Sequence, residues 1–302
     1  MSPLAKITIY LLAVLLAACL ISPVAYWAVQ GLEANGFTTG IAGFPFHRFF
    51  SRTVQIAVIV LGIPFAWWLG FRHLSDFGLV RNPKMLTDLS LGLALALVVG
   101  VGLLTILWAE GYVKPQDNPA VRGLLRIVGT AAMVSLIEEF LFRGVLLGLT
   151  VRAVGSLPGS VLVSLIFAAV HFLRPSKSAI ERVTWTSGFE QVAAVFHQLP
   201  DPVILGYGLL TLFAAGLLLA WVTLRTRSLW LAIGIHTGWI FAQQAGNLFM
   251  KPRARPSDAF LPWYGPNLVS GAVPTGLLPL AALLLLTVMI GIYFRYARRG
   301  GA

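Results

Sequence analysis

About eight stretches of roughly 20 mostly apolar residues run through this 302-residue chain, and a helix needs about that many to cross a bilayer core. They lie at roughly 7–30, 53–71, 89–109, 124–150, 157–173, 203–223, 228–249 and 274–295. Inside hydrocarbon, backbone groups must satisfy each other, so stretches of this kind close as helices. The expected fold is all-α: a polytopic membrane helix bundle with about eight transmembrane helices. Residues 1–302 read as a single integral membrane domain, since no internal repeat or low-complexity tract divides them.

Composition agrees. Hydrophobic residues make up 58% and charged residues 11%, against about a quarter charged in soluble domains. That excludes a disordered chain, an ordinary soluble enzyme and a coiled coil. The net charge of +11 reads as loops that meet anionic lipid headgroups. With no arginine-rich motif and no zinc-finger spacing, no nucleic-acid partner is expected. The single cysteine, Cys19, permits no intramolecular disulfide.

Pro, Gly and charge gather in the connections: Asn82-Pro83-Lys84, Lys114 to Pro119, and Lys251 to Pro256. The longest connection, about 174–202, carries helical spacing from Ser178 to Phe196, with Trp185, Phe189 and Phe196 suited to the membrane interface. It also holds Glu181, Arg182, Glu190 and His197. Near the start, Leu16-Ala17-Ala18-Cys19 resembles a lipoprotein cleavage site, but the apolar run continues through Tyr26 and Trp27. A retained first helix is expected. Lys and Arg divide almost evenly between the two sides, and Arg298-Arg299 with Arg225-Thr226-Arg227 tip the termini toward the cytoplasm.

Ionisable groups inside a span are costly unless paired or working. Few occur here. The fourth stretch carries Glu138, Glu139 and Arg143, the fifth His171, and the seventh His236 followed by Gln243, Gln244 and Asn247. Glu139 and Arg143 are four apart and stack on one helical face as an ion pair. Glu138 points about 100° away and is left free to meet another helix. A free buried carboxylate beside a second one suits a general base. The bland alternative is a polar clamp that pins helices together. His47, His73 and His197 are expected in solvated loops.

These motifs resemble the CPBP family, the CAAX-type prenyl endopeptidases and bacteriocin-processing intramembrane proteases. The diglutamate followed by arginine is matched by Glu138, Glu139 and Arg143. Phe-x-x-x-His is matched by Phe167 and His171. The third motif, His-x-x-x-Asn or Asp, is matched at His236 only, because its fourth position is Ile240. The resemblance covers about 120–250, the expected catalytic core. It implies that Glu138 activates water, His171 positions it and His236 stabilises the oxyanion, with Glu139, Arg143 and Phe167 in support. Ile240 removes one amide donor, which implies an impaired oxyanion site. Gln243, seven residues past His236 and about 10 Å along the axis, is the candidate substitute.

No cofactor is favoured. Were zinc bound, Glu138, His171 and His236 would be its ligands. Zinc sites usually add a carboxylate behind each histidine, and Glu139, engaged by Arg143, leaves none. The expected function is an intramembrane endopeptidase acting on a peptide or membrane-protein substrate in the lipid bilayer. Alternatives are a degenerate scaffold or bacteriocin-immunity-type protein, and a proton-coupled transporter, against which the lack of repeats speaks. Short loops and the lack of a targeting signal point to a bacterial inner membrane.

Overall fold

The computed structural model describes residues 3–73, 84–119, 121–173, 180, 182–197, 201–252, 262–264 and 276–299. Asn82, Pro83, Glu181 and the 253–256 connection lie outside the described residues, as does most of the 174–181 segment. The chain forms two compact units, one from residues 1–72 and 172–199, the other from 73–171 and 200–302.

The first unit contains helices α1 (Pro3–Ala34), α2 (Phe46–Trp68) and α7 (Ser187–Phe196). Helix α1 runs unbroken past Cys19. It pairs antiparallel with α2: Tyr10 stacks on Phe65 at 4.2 Å, while Tyr26 meets Phe49 edge-on at 5.3 Å. The Tyr10 hydroxyl donates to the Val58 carbonyl at 2.7 Å, so a polar tip is satisfied among apolar neighbours. Gly188 lets α7 press against α1, since a Cβ there would lie 2.2 Å from the Cys19 carbonyl oxygen. The helix expected from Ser178 is shorter: it begins at Ser187, after a turn in which the Ser187 hydroxyl accepts from the Thr184 amide. Trp185, Phe189 and Phe196 are exposed, as an interfacial segment requires. His47 sits in the first turn of α2 rather than in a loop.

The second unit contains α3 (Met85–Ala109), α4 (Leu124–Glu139), a π-helical segment (Phe140–Leu146), α5 (Leu147–Val154), α6 (Ser156–Val170), α8 (Pro202–Thr226), α9 (Trp230–Phe249) and α10 (Leu277–Arg299). Helices α3 and α9 approach through small residues at four-residue spacing. Gly92, Ala96 and Gly100 on α3 face Gly234, Gly238 and Ala242 on α9. A Cβ at Gly234 would lie 2.2 Å from the Leu89 carbonyl oxygen, and one at Gly238 would lie 2.8 Å from Ala96 Cβ. Small residues let helix backbones come this close, which is how helices associate where no water drives them together. A core around Leu103, Leu219, Val222, Leu231, Leu286 and Ile290 joins α3, α8, α9 and α10.

The ends of these helices follow local chemistry. Asp201 caps α8 by accepting from the Val203 amide at 2.8 Å, with Pro202 in the first turn. Gly155, at φ +90°, turns α5 into α6. Two short strands depart from a purely helical reading: β1 (Val113–Pro115) pairs antiparallel with β2 (Met250–Pro252). They sit in what the sequence suggests as linkers, and Lys251 pairs with Asp117 beside them.

The count of about eight spans is not established. Among the described residues, five helices are long and apolar enough to cross a membrane: Ala5–Ala34, Phe46–Trp68, Met85–Ala109, Pro202–Thr226 and Leu277–Tyr296. The stretch expected at 124–150 is helical but broken by the π segment, α6 has 15 residues, and α9 is diluted by His236, Gln243, Gln244 and Asn247.

Candidate active site

Four helix segments of the second unit bring the polar residues together. The end of α4 supplies Glu138 and Glu139, and the π segment supplies Arg143. Phe167 lies in α6, His171 caps its C-terminus, and His236 lies in α9. A π turn inside a continuous helix is rare and tends to mark functional sites. Here it begins directly after the two glutamates.

The expected ion pair is present: Arg143 Nη1 donates to Glu139 Oε1 at 2.8 Å, with both side chains wholly buried. Arg143 also reaches toward the Gly216 carbonyl at 3.5 Å, and its guanidinium lies 4.3 Å from the Phe167 ring centre. Phe167 is the hub of the cluster. Its buried ring meets Phe142 at 5.1 Å, His171 at 4.5 Å and His236 at 6.0 Å.

Glu139 does more than hold Arg143. Its Oε1 also lies 2.7 Å from His236 Nδ1, so a carboxylate does stand behind a histidine. This corrects the expectation that Arg143 leaves none, and it removes the argument against zinc built on it. The contact also sets the ring's tautomer: a carboxylate accepts, so Nδ1 carries hydrogen and Nε2 faces the other way. His171 is fixed likewise, its Nδ1 donating to the Phe167 carbonyl at 2.7 Å.

Both Nε2 atoms come to Glu138. Its Oε2 lies 3.7 Å from His171 Nε2 and 3.8 Å from His236 Nε2. This oxygen is buried and has no hydrogen-bond partner among the described residues. The Glu138 side chain as a whole is 26% exposed, unlike the sealed Glu139. One carboxylate is therefore accessible and the other enclosed, as the 100° separation around the helix requires.

Two nitrogens and a carboxylate are zinc's donor types. Yet among the described residues no group of three His, Cys, Asp or Glu side chains is gathered so as to hold a metal ion. The donor chemistry suits a metal and the spacing does not, so no reaction step is derived through one.

Two other expected residues stand apart. Ile240 is half-buried one turn beyond His236. Gln243 lines a separate cavity that includes none of Glu138, His171 or His236. Sequence reasoning missed Ser135, Phe142 and Gly216. Ser135 is buried one turn before Glu139, and its hydroxyl and Glu139 Oε2 both lack a partner among the described residues. A serine four residues before an intramembrane acid was the available signal. Gly216 offers only a carbonyl, which leaves no mark in the sequence.

The site thus combines a sealed glutamate–arginine pair, a partly exposed second glutamate and two histidines on separate helices. Residues 120–242 match the family described as type II CAAX prenyl endopeptidase, Rce1-like, and the motifs at Glu138, Phe167 and His236 lie within that match. The apolar helices together with this match make the chain an integral membrane protein with a segment similar to CAAX proteases. No curated protein matches it.

Proposed function

We propose that the protein is a glutamate-activated intramembrane endopeptidase that hydrolyses a peptide bond of a peptide or membrane-protein tail. The observation that carries this reading is the meeting of both imidazole Nε2 atoms at Glu138 Oε2, within 4 Å in each case. Two acceptors at one point, Glu138 Oε2 and His171 Nε2, are what a water molecule with two hydrogens to give binds, and His236 Nε2 lies beside them.

In this reading Glu138 takes a proton from that water as its oxygen bonds to the scissile carbonyl carbon. His171, whose Nδ1 is held by a backbone carbonyl, presents an accepting Nε2 that orients the water. His236 is backed by Glu139, whose charge balances an imidazolium, so its Nε2–H donates to the oxyanion that forms. The C–N bond then breaks, and the departing nitrogen takes the proton from Glu138, leaving a carboxylic acid and an amine. Arg143 holds Glu139 aimed at His236. The short connections suit a bacterial inner membrane.

The test is cleavage of a peptide library by purified protein, with Glu138→Gln as control. Cleavage by wild type alone supports the reading. Equal products from both, or none from either across a broad library, overturn it.

A further inference from the structure

Gln243 has both polar atoms of its amide buried with no hydrogen-bond partner among the described residues. It lines a cavity with Leu103 and Leu107 of α3, Trp239 and Asn247 of α9, and Tyr264. Leaving a buried donor and acceptor unpaired costs free energy, so this amide is poised for a ligand. The ligand must offer an acceptor and a donor side by side. A hydrocarbon chain offers neither. A carboxylate offers acceptors only and would face Gln243 Oε1 with a second acceptor. A main-chain peptide unit offers both.

The register adds a distance. Gln243 is seven residues beyond His236 on α9, which is about 10 Å along the axis and only about 20° around it. An extended chain covers about 3.3–3.6 Å per residue, so that separation spans about three residues. We propose that Gln243 is a substrate-recognition residue that pairs with a main-chain peptide unit about three residues from the scissile bond. This rests on the protease reading. It replaces a role for Gln243 at the oxyanion, since its cavity is separate from the Glu138 cluster.

The test uses Gln243→Leu, which keeps the volume and removes both polar atoms. It breaks no bond, so its melting temperature should equal or exceed that of wild type. A peptide that wild type cleaves is compared with versions N-methylated at the third residue on either side of the cut. Methylation on one side should lower wild-type kcat/KM about tenfold, one hydrogen bond's worth. The Leu variant should lose a similar factor on the parent peptide and be insensitive to that methyl group. Equal methylation penalties in both proteins overturn the proposal, as do unchanged kinetics in Gln243→Leu, which would mean the amide meets water only. A second measurement does not need turnover: photolabelling of Glu138→Gln by a decapeptide carrying one benzoylphenylalanine. Label on residues 239–247, lost when Gln243→Leu is added, supports the subsite even if no peptide is cleaved. Absence of label there overturns it even if cleavage is observed.

Discussion

His236 Nδ1 donates to Glu139 Oε1 across 2.7 Å, joining residues 97 apart in the chain. Because Arg143 bonds the same oxygen from one turn away, a single carboxylate orients a histidine on α9 and neutralises an arginine in the π segment. Glu139 is therefore the joint between the folding and the chemistry of this cluster. Glu138, its sequence neighbour, is the carboxylate that meets the Nε2 atoms of both histidines.

The two acids should separate cleanly on mutation. Glu138→Gln is expected to abolish cleavage while leaving the detergent melting temperature near wild type, since Gln is isosteric and a partly exposed charge is lost. Arg143→Ala strands the enclosed Glu139 and should cost about 3–5 kcal/mol. Expression, melting and activity measured together check both. Like behaviour of the two variants would show that catalytic and supporting roles are not divided this way.

Glu139→Gln should fall between them. It keeps the shape but weakens the hold on His236 Nδ1 and leaves Arg143 without its counter-charge. Loss of such an orienting partner typically costs about 10–100-fold in activity, with a lowered melting temperature besides. Rescue by Glu139→Asp to wild-type rates would argue that charge matters and reach does not.

Close helix packing also positions His236. Gly234→Ala puts a Cβ 2.2 Å from the Leu89 carbonyl oxygen, which backbone cannot yield without α3 and α9 moving apart. The expected cost is about 1–3 kcal/mol, together with reduced kcat because His236 is two residues on. Thermal melting and turnover of this variant test the coupling. An unshifted melting point would contradict the close approach.

Chelation addresses zinc. Prolonged phenanthroline or EDTA treatment is expected to leave activity largely unchanged, with well under one zinc per chain by elemental analysis. Stoichiometric zinc whose loss and return track activity would sink the water-and-glutamate mechanism as written.

Ile240 is the last of the set. It stands one turn from His236 on the same helix and is half-buried. With an amide there, a second donor could reach the oxyanion, so Ile240→Asn should raise kcat about tenfold or more. No gain at unchanged stability would mean the oxyanion is held elsewhere. A loss of stability without gain would mean that position 240 turns toward lipid.

Much of this was legible in one dimension. Apolar runs of about 20 residues leave a chain few choices but helices, and each expected stretch is helical. The Glu139–Arg143 pair follows from four-residue spacing alone, and the separate aim of Glu138 follows from the 100° between neighbours. The likeness of the central segment to CAAX-type endopeptidases also rested on short motifs in order. The span count was less secure for a physical reason: the stretches that carry site residues lose apolarity and length to them, which is why α4 to α5, α6 and α9 fall outside the five clear candidates.

Tertiary structure alone decided what depends on three helices meeting. No spacing rule links residue 139 to 236, so Glu139's hold on His236 was invisible, and the expectation that Arg143 leaves no carboxylate for a histidine followed. The π turn was equally hidden, because a change in hydrogen-bond register alters neither composition nor periodicity enough to be read. Gln243 shows the limit most plainly. Its helical face is computable from sequence, but which neighbours enclose that face, and whether they leave its amide a partner, is a property of α3 and α9 packed together. Local rules set which residues share a side of a helix. Only packing sets what that side meets.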